Sequence, residues 1–210
     1  FLIPVIFWII KLRGKYRQYP MITLLLPLLF MNGIGSTIYH AFRASNFALM
    51  LDWMPAFIMN LILSWYMWKK VLHRNILPIF VVLAFYAAAV FIIASFAPIL
   101  GDLAANLGYL CIGLSILTPS VIFLIRTRFY KGHLLILTFV FLGISLLFRS
   151  LDFPTENPFP NLLPQGTHFL WHIVSAFAVF TLGFYFMHIQ GLDSRTFVKS
   201  ERNREERKKG

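Results

Sequence analysis

Long uninterrupted apolar runs divide this chain, and the polar breaks between them are short. Six runs are close to the roughly 20 residues that a helix needs to cross a bilayer. They cover residues 21–42, 47–68, 76–98, 102–125, 134–151 and 167–190. A further run, residues 1–10, is about half as long, and we interpret it as the end of a truncated first helix. The pattern predicts an all-α, polytopic membrane bundle of seven transmembrane helices.

Composition agrees with a membrane protein and excludes several other classes. Hydrophobic residues make up 59% of the 210 residues and charged residues 13%, whereas soluble domains are roughly half apolar and a quarter charged. The runs are continuous rather than alternating, which argues against a lipid-facing β-barrel. A single cysteine, Cys111, leaves no intrachain disulfide and no cysteine-based metal motif.

Basic residues are concentrated in alternate loops. Lys and Arg are frequent at 11–17, 69–74, 126–131 and in the tail 191–210, and they are scarce in the other loops. We expect residues 1–190 to form one seven-helix domain. Because an excess of Lys and Arg marks cytoplasmic loops, the amino end of this domain would lie outside or in a lumen, and the tail 191–210 in the cytoplasm. The net charge of +11 belongs to these loops and the tail, so we predict no nucleic-acid partner.

This topology puts several polar side chains at one depth, in the outer part of the bundle. Ser36 and His40 lie near the outer end of the second span, and Asp52 lies in the first turns of the third. The last span begins outside with His168 and His172, which are four residues apart and therefore share a helix face. Ionisable groups within membrane spans are costly and usually serve a site. We therefore expect these side chains to meet.

A zinc site explains these residue types. Imidazole nitrogen suits Zn²⁺, and three protein ligands with one open position are usual for a catalytic zinc ion. His40, His168 and His172 would be the three ligands. Asp52 would act as a general base toward the bound water, or as an acceptor that orients a histidine. Ser36, one turn from His40, would donate a hydrogen bond to a developing oxyanion.

Simpler interpretations exist for the same residues. A histidine pair at i, i+4 can form hydrogen bonds between helices, and a serine within a helix often bonds to its own backbone. Asp52 could pair with Arg43 or Arg149, and Asp152 could pair with Arg149 at a helix end. Histidines on facing helices also ligate haem iron, although two histidines on one helix face suit axial ligation poorly.

Three short motifs follow one another along the chain. They are Ser-x-x-x-His at Ser36 and His40, the aspartate of Leu51-Asp52, and His-x-x-x-His at His168 and His172. This set resembles the superfamily that groups alkaline ceramidases, adiponectin-type receptors and GPI-anchor remodelling proteins. The predicted orientation is similar to that of the ceramidases. The segment Leu151-Asp152-Phe153-Pro154 is closer to the GPI-remodelling signature.

The resemblance implies a zinc-dependent hydrolase that cleaves a lipid amide or ester within the membrane. By motif, His40, His168 and His172 would bind zinc, Ser36 would stabilise the oxyanion and Asp52 would activate water. The expected substrate is a ceramide-like sphingolipid, cleaved at its amide. The alternatives are a GPI-remodelling-like ester hydrolase and a non-catalytic receptor with structural zinc. Calcium is not predicted, because the acidic amino-terminal segment of eukaryotic ceramidases has no match in the chain.

Overall fold

The chain is helical throughout the part that a computed structural model describes, residues 1–42, 45–151, 162–163 and 166–192, and that part contains no β-strand. A short 3-10 turn, Tyr16–Gln18, follows the first helix. The helices are α1 (Leu2–Leu12), α2 (Pro20–Phe42), α3 (Asn46–Leu72), α4 (Leu77–Leu100), α5 (Asp102–Arg126), α6 (Gly132–Ser150) and α7 (His168–Ile189). The expected all-α class is confirmed for these residues.

Five of the helices are long and apolar enough to cross a bilayer, as in a multi-pass membrane protein. They are α2, α3, α4, α6 and α7. Two shorter apolar helical segments do not reach that length among the described residues, namely α1 and the Leu110–Arg126 part of α5. Seven spans, and the direction in which they run, therefore stay predictions.

Helix boundaries follow the predicted runs to within a few residues, with one informative difference. The sequence predicts a break that starts at Pro98, but α4 continues through this proline to Leu100. A proline here removes one donor and crowds the carbonyl four residues back. Membrane-spanning helices tolerate proline, so the helix need not end there. The turn comes at Gly101, whose φ of 53° and ψ of −129° suit glycine.

Residues 1–56 and 131–191 form one compact unit, which contains the predicted site. Its inner packing is aromatic where α1 meets α7: Trp8 is 1% exposed, and a Cβ at Gly183 would overlap its indole. Phe7 contacts Phe180 and Phe184 in the same layer. Hydroxyl pairs join α6 to α7, with Thr138 2.8 Å from Thr181 and Ser145 2.6 Å from Ser175.

The second unit contains residues 57–130 and, among the described residues, Leu192. A polar cluster links its helices, because Tyr86 donates a hydrogen bond of 2.7 Å to the side-chain carbonyl of Asn60. Ser64 lies 2.8 Å from Ser115, hydroxyl to hydroxyl, and Trp68 donates to the backbone carbonyl of Ser115 at 2.9 Å. Such bonds hold membrane helices together where lipid offers no partner.

Candidate metal centre

Three imidazoles from two helices meet in the first unit. His40 lies in the last turn of α2, while His168 is the first residue of α7 and His172 lies one turn further along. The Nε2 atom of His168 is 3.2 Å from that of His40 and 3.1 Å from that of His172. The spacing of the pair on α7 makes two of these rings neighbours, and the packing of α2 against α7 adds the third.

One hydrogen bond does not account for both Nε2 contacts of His168. A neutral imidazole nitrogen carries either one proton or one lone pair. The Nε2 atom of His168 therefore serves one of its two Nε2 neighbours at a time, either as donor or as acceptor. One cation bound by a lone pair from each of the three rings would account for both contacts at once.

The distances also fit one metal ion. With metal–nitrogen bonds of about 2.0–2.1 Å in tetrahedral geometry, ligand nitrogens lie about 3.3 Å apart. The two measured separations are close to this value, and the three ligand nitrogens all lie within 4.8 Å of one another. His40, His168 and His172 could therefore hold one metal ion.

Asp52 is placed beside His40 by close packing of α3 against α2. The side-chain amide of Asn32 donates a hydrogen bond to the backbone carbonyl of Asp52. A Cβ at Gly35 would overlap the backbone of Leu51, so a glycine is needed for this approach. As a result, Oδ2 of Asp52 lies 3.8 Å from Nε2 of His40, and the two side chains are 17% and 33% exposed.

Ser36 is buried and lies one turn before His40 on α2. Residues four apart share a helix face, so the buried Ser36 lies on the same face as the more exposed His40. The next turn toward the helix start brings Asn32, which is also buried. The three side chains thus form one polar stripe on an otherwise apolar helix.

The start of α7 is fixed to the end of α6 by hydrogen bonds. Thr167, immediately before the histidine pair, donates from its hydroxyl to the backbone carbonyl of Phe148 at 2.7 Å. One turn further along, the hydroxyl of Ser145 lies 3.3 Å from the carbonyl of Trp171. These contacts were not predicted from the sequence, although a threonine before a helix is a common position for a polar contact.

Two further residues lie near the histidines. Trp171 was not predicted there, and Arg149 was expected only as a candidate ion-pair partner of Asp52 or Asp152. The indole of Trp171 lies 4.5 Å from the ring of His172 and 5.1 Å from that of His168, measured between centroids. The guanidinium carbon of Arg149 lies 4.5 Å from the centroid of the same indole. Sequence spacing could have placed Trp171 beside His168, but it carries no signal for the approach of Arg149 from another helix.

Some predicted contacts fall on positions that the structure does not describe. One candidate partner of Asp52, Arg43, lies outside the described residues, and so does Asp152, the candidate partner of Arg149. The loop 153–161 and the tail beyond residue 192 are also outside them. Of the histidines outside the cluster, His188 contacts the backbone carbonyl of Phe184 in its own helix at 2.7 Å.

Comparisons of the chain with protein-family models, curated proteins and solved structures find no match. The resemblance of the three motifs to the ceramidase superfamily therefore stays a prediction. What the site can do is argued below from its own geometry, with the resemblance as support.

Proposed function

We propose that the protein is a zinc-dependent hydrolase that cleaves an amide or ester bond of a membrane lipid. The observation that carries the proposal is the convergence of three Nε2 atoms from His40, His168 and His172 with a carboxylate beside them. A cation shared by three neutral imidazoles would account for this arrangement, and a nearby carboxylate is what general-base catalysis requires.

A zinc ion held by the three histidines would supply Lewis acidity, since zinc polarises a carbonyl and makes water nucleophilic near neutral pH. The protein supplies the rest of the chemistry. Nε2 of His40 faces both His168 and the carboxylate of Asp52, so the carboxylate approaches the nitrogen that would bind the ion. An aspartate that only oriented the ring would contact the opposite nitrogen. This geometry favours Asp52 as the base that takes a proton from water.

Ser36 is proposed to stabilise the negative charge that develops on the substrate carbonyl oxygen. A hydroxyl donor is worth most where water is excluded, and Ser36 is only 7% exposed. Its place one turn from His40 keeps it on the same helix as a ligand, so the donor and the ion are positioned together. In the hydrolysis, the oxygen of water adds to the carbonyl carbon and one of its protons passes to Asp52. The bond from the carbonyl carbon to the amine or alcohol then breaks, and Asp52 delivers the proton to this leaving group.

The substrate class follows from the surroundings of the site. The site lies at the ends of helices that are apolar enough to cross a bilayer, so a lipid reaches it from within the membrane. The motif resemblance favours a ceramide-like sphingolipid, cleaved at its amide, with a GPI-remodelling-like ester as the alternative. The same proposal includes seven spans, an amino end outside or in a lumen and a cytoplasmic tail.

The test combines metal content with hydrolysis. Purified protein in detergent should contain about one zinc ion per chain and release fatty acid from ceramides. His172→Ala should lose both properties. His188→Ala is the matched control, because this histidine lies near the other end of α7 and should leave zinc and activity unchanged. Active protein without zinc would contradict the proposal.

Zinc without turnover would give a different result. If the protein binds zinc, unfolds at lower temperature after chelation and hydrolyses no amide or ester lipid, the ion has a structural role. That outcome would favour the receptor-like alternative over the hydrolase.

A further inference from the structure

Arg149 is an exposed cation at the end of an apolar helix. It is the penultimate residue of α6, which has 19 residues and so spans about the thickness of the hydrocarbon core. A basic side chain at this position reaches the level of the lipid headgroups. Its guanidinium does not extend freely, however, because it stacks on the indole of Trp171 at 4.5 Å.

Trp171 connects this cation to the metal centre. The same indole contacts the imidazoles of His172 and His168 at 4.5 and 5.1 Å. The guanidinium is therefore about one aromatic ring away from the candidate ligands. If the carbonyl of a substrate lies at the histidines, Arg149 would bind a different group of the same substrate.

Among the described residues, none forms a hydrogen bond or ion pair with the side chain of Arg149, which stacks on the indole of Trp171. A guanidinium has five N–H donors in one plane, and stacking on one face leaves the donors at its edge open. The stacking also restricts the Arg149 side chain before a ligand binds, so less conformational entropy is lost on binding.

We propose that Arg149 binds the phosphate of a phosphate-bearing acyl lipid while the acyl carbonyl lies at the histidine cluster. This inference rests on the proposed hydrolase function and narrows its substrate class. The planar fork of arginine matches two phosphate oxygens. The carboxylate of a fatty-acid product is a poorer candidate, since it forms at the reacting carbonyl and not one ring away. In a membrane lipid, the headgroup phosphate lies a few bonds from the acyl linkage, as this separation requires.

The test compares two lipids that differ only in the phosphate, ceramide and ceramide phosphate with the same acyl chain. Binding of each is measured by native mass spectrometry in an uncharged detergent that contains no phosphate. The wild-type protein should bind ceramide phosphate at least about tenfold more tightly than ceramide, as a charge-assisted bidentate contact predicts. Arg149→Gln should reduce this ratio to near one, and Arg149→Lys should keep part of it.

Two further variants separate Arg149 from general charge effects. Arg74→Gln removes another exposed arginine, beyond the end of α3, and should leave the ratio unchanged. Asp152→Asn should leave it unchanged or raise it. An unchanged ratio in Arg149→Gln, no preference in the wild-type protein, or an equal loss in Asp152→Asn would overturn the inference.

Zinc content and hydrolysis of both lipids are measured in the same samples. Loss of phosphate preference in Arg149→Gln with zinc content retained supports the role of Arg149. Absence of zinc or of turnover in the wild-type protein contradicts the hydrolase proposal, while the binding ratio still decides whether Arg149 recognises phosphate.

Discussion

Thr167 donates a hydrogen bond from its hydroxyl to the backbone carbonyl of Phe148 at 2.7 Å, and its side chain is fully buried. This bond joins the residue before the histidine pair to the last turns of α6. A carbonyl near the end of a helix lacks an intrahelical donor, so Thr167 supplies one. The bond therefore fixes where α7 begins and, with it, where His168 lies.

Thr167→Val should weaken zinc binding by several fold and lower the free energy of unfolding by about 1 kcal/mol. The substitution keeps the shape and removes the donor. Zinc titration and thermal unfolding in detergent measure the two effects. Thr181→Val removes a comparable hydroxyl contact between α6 and α7, with Thr138, further along α7. Thr181→Val should lower the free energy of unfolding by a similar amount and leave zinc affinity unchanged. Equal zinc affinities in the two variants would show that Thr167 does not position His168 and His172.

Gly35→Ala should strongly reduce activity, because the added Cβ meets the backbone of Leu51 and pushes α2 away from α3. Overpacking of this kind costs about 1–3 kcal/mol, and it separates His40 from Asp52. Gly33→Ala is the neighbouring control. Its Cβ would meet the end of the flexible Leu2 side chain at 3.0 Å, which can move. Hydrolysis by Gly35→Ala at the level of Gly33→Ala would rule out this packing role.

Gly183→Ala should destabilise the first unit by about 1–3 kcal/mol, since a Cβ there overlaps the buried indole of Trp8. Gly143→Ala, in α6, should be neutral or stabilising by up to about 1 kcal/mol, because its Cβ meets nothing within 4 Å and alanine favours a helix. Thermal unfolding of both variants in one detergent provides the comparison. A similar loss in both would mean that Trp8 adapts.

The helices were largely predictable because the membrane constrains them so strongly. An apolar run of span length has few alternatives to a helix, and the observed bounds of α2, Pro20–Phe42, nearly coincide with the predicted run 21–42. The end of α4 was harder to predict, because a membrane helix can continue through a proline, as α4 does at Pro98. The number of spans also depends on α1, which has 11 residues.

For the site, local spacing was informative and contacts between helices were less so. The four-residue separation of His168 and His172 is enough to put both rings on one face. The contact of Arg149 with Trp171, and that of Gly35 with Leu51, depend on how helices cross. Neither has a periodic signature in one sequence, so the structure was needed to find them.

Asp52→Asn should lower kcat by about two to four orders of magnitude while zinc content stays at the wild-type level. The amide keeps the size of the carboxylate but cannot accept a proton, and Oδ2 of Asp52 lies 3.8 Å from His40, beyond direct hydrogen bonding. Rates and metal content are measured on the same preparation. Zinc affinity that falls in proportion to the rate would instead mean that Asp52 orients His40, because a general base affects the chemical step without holding the ion.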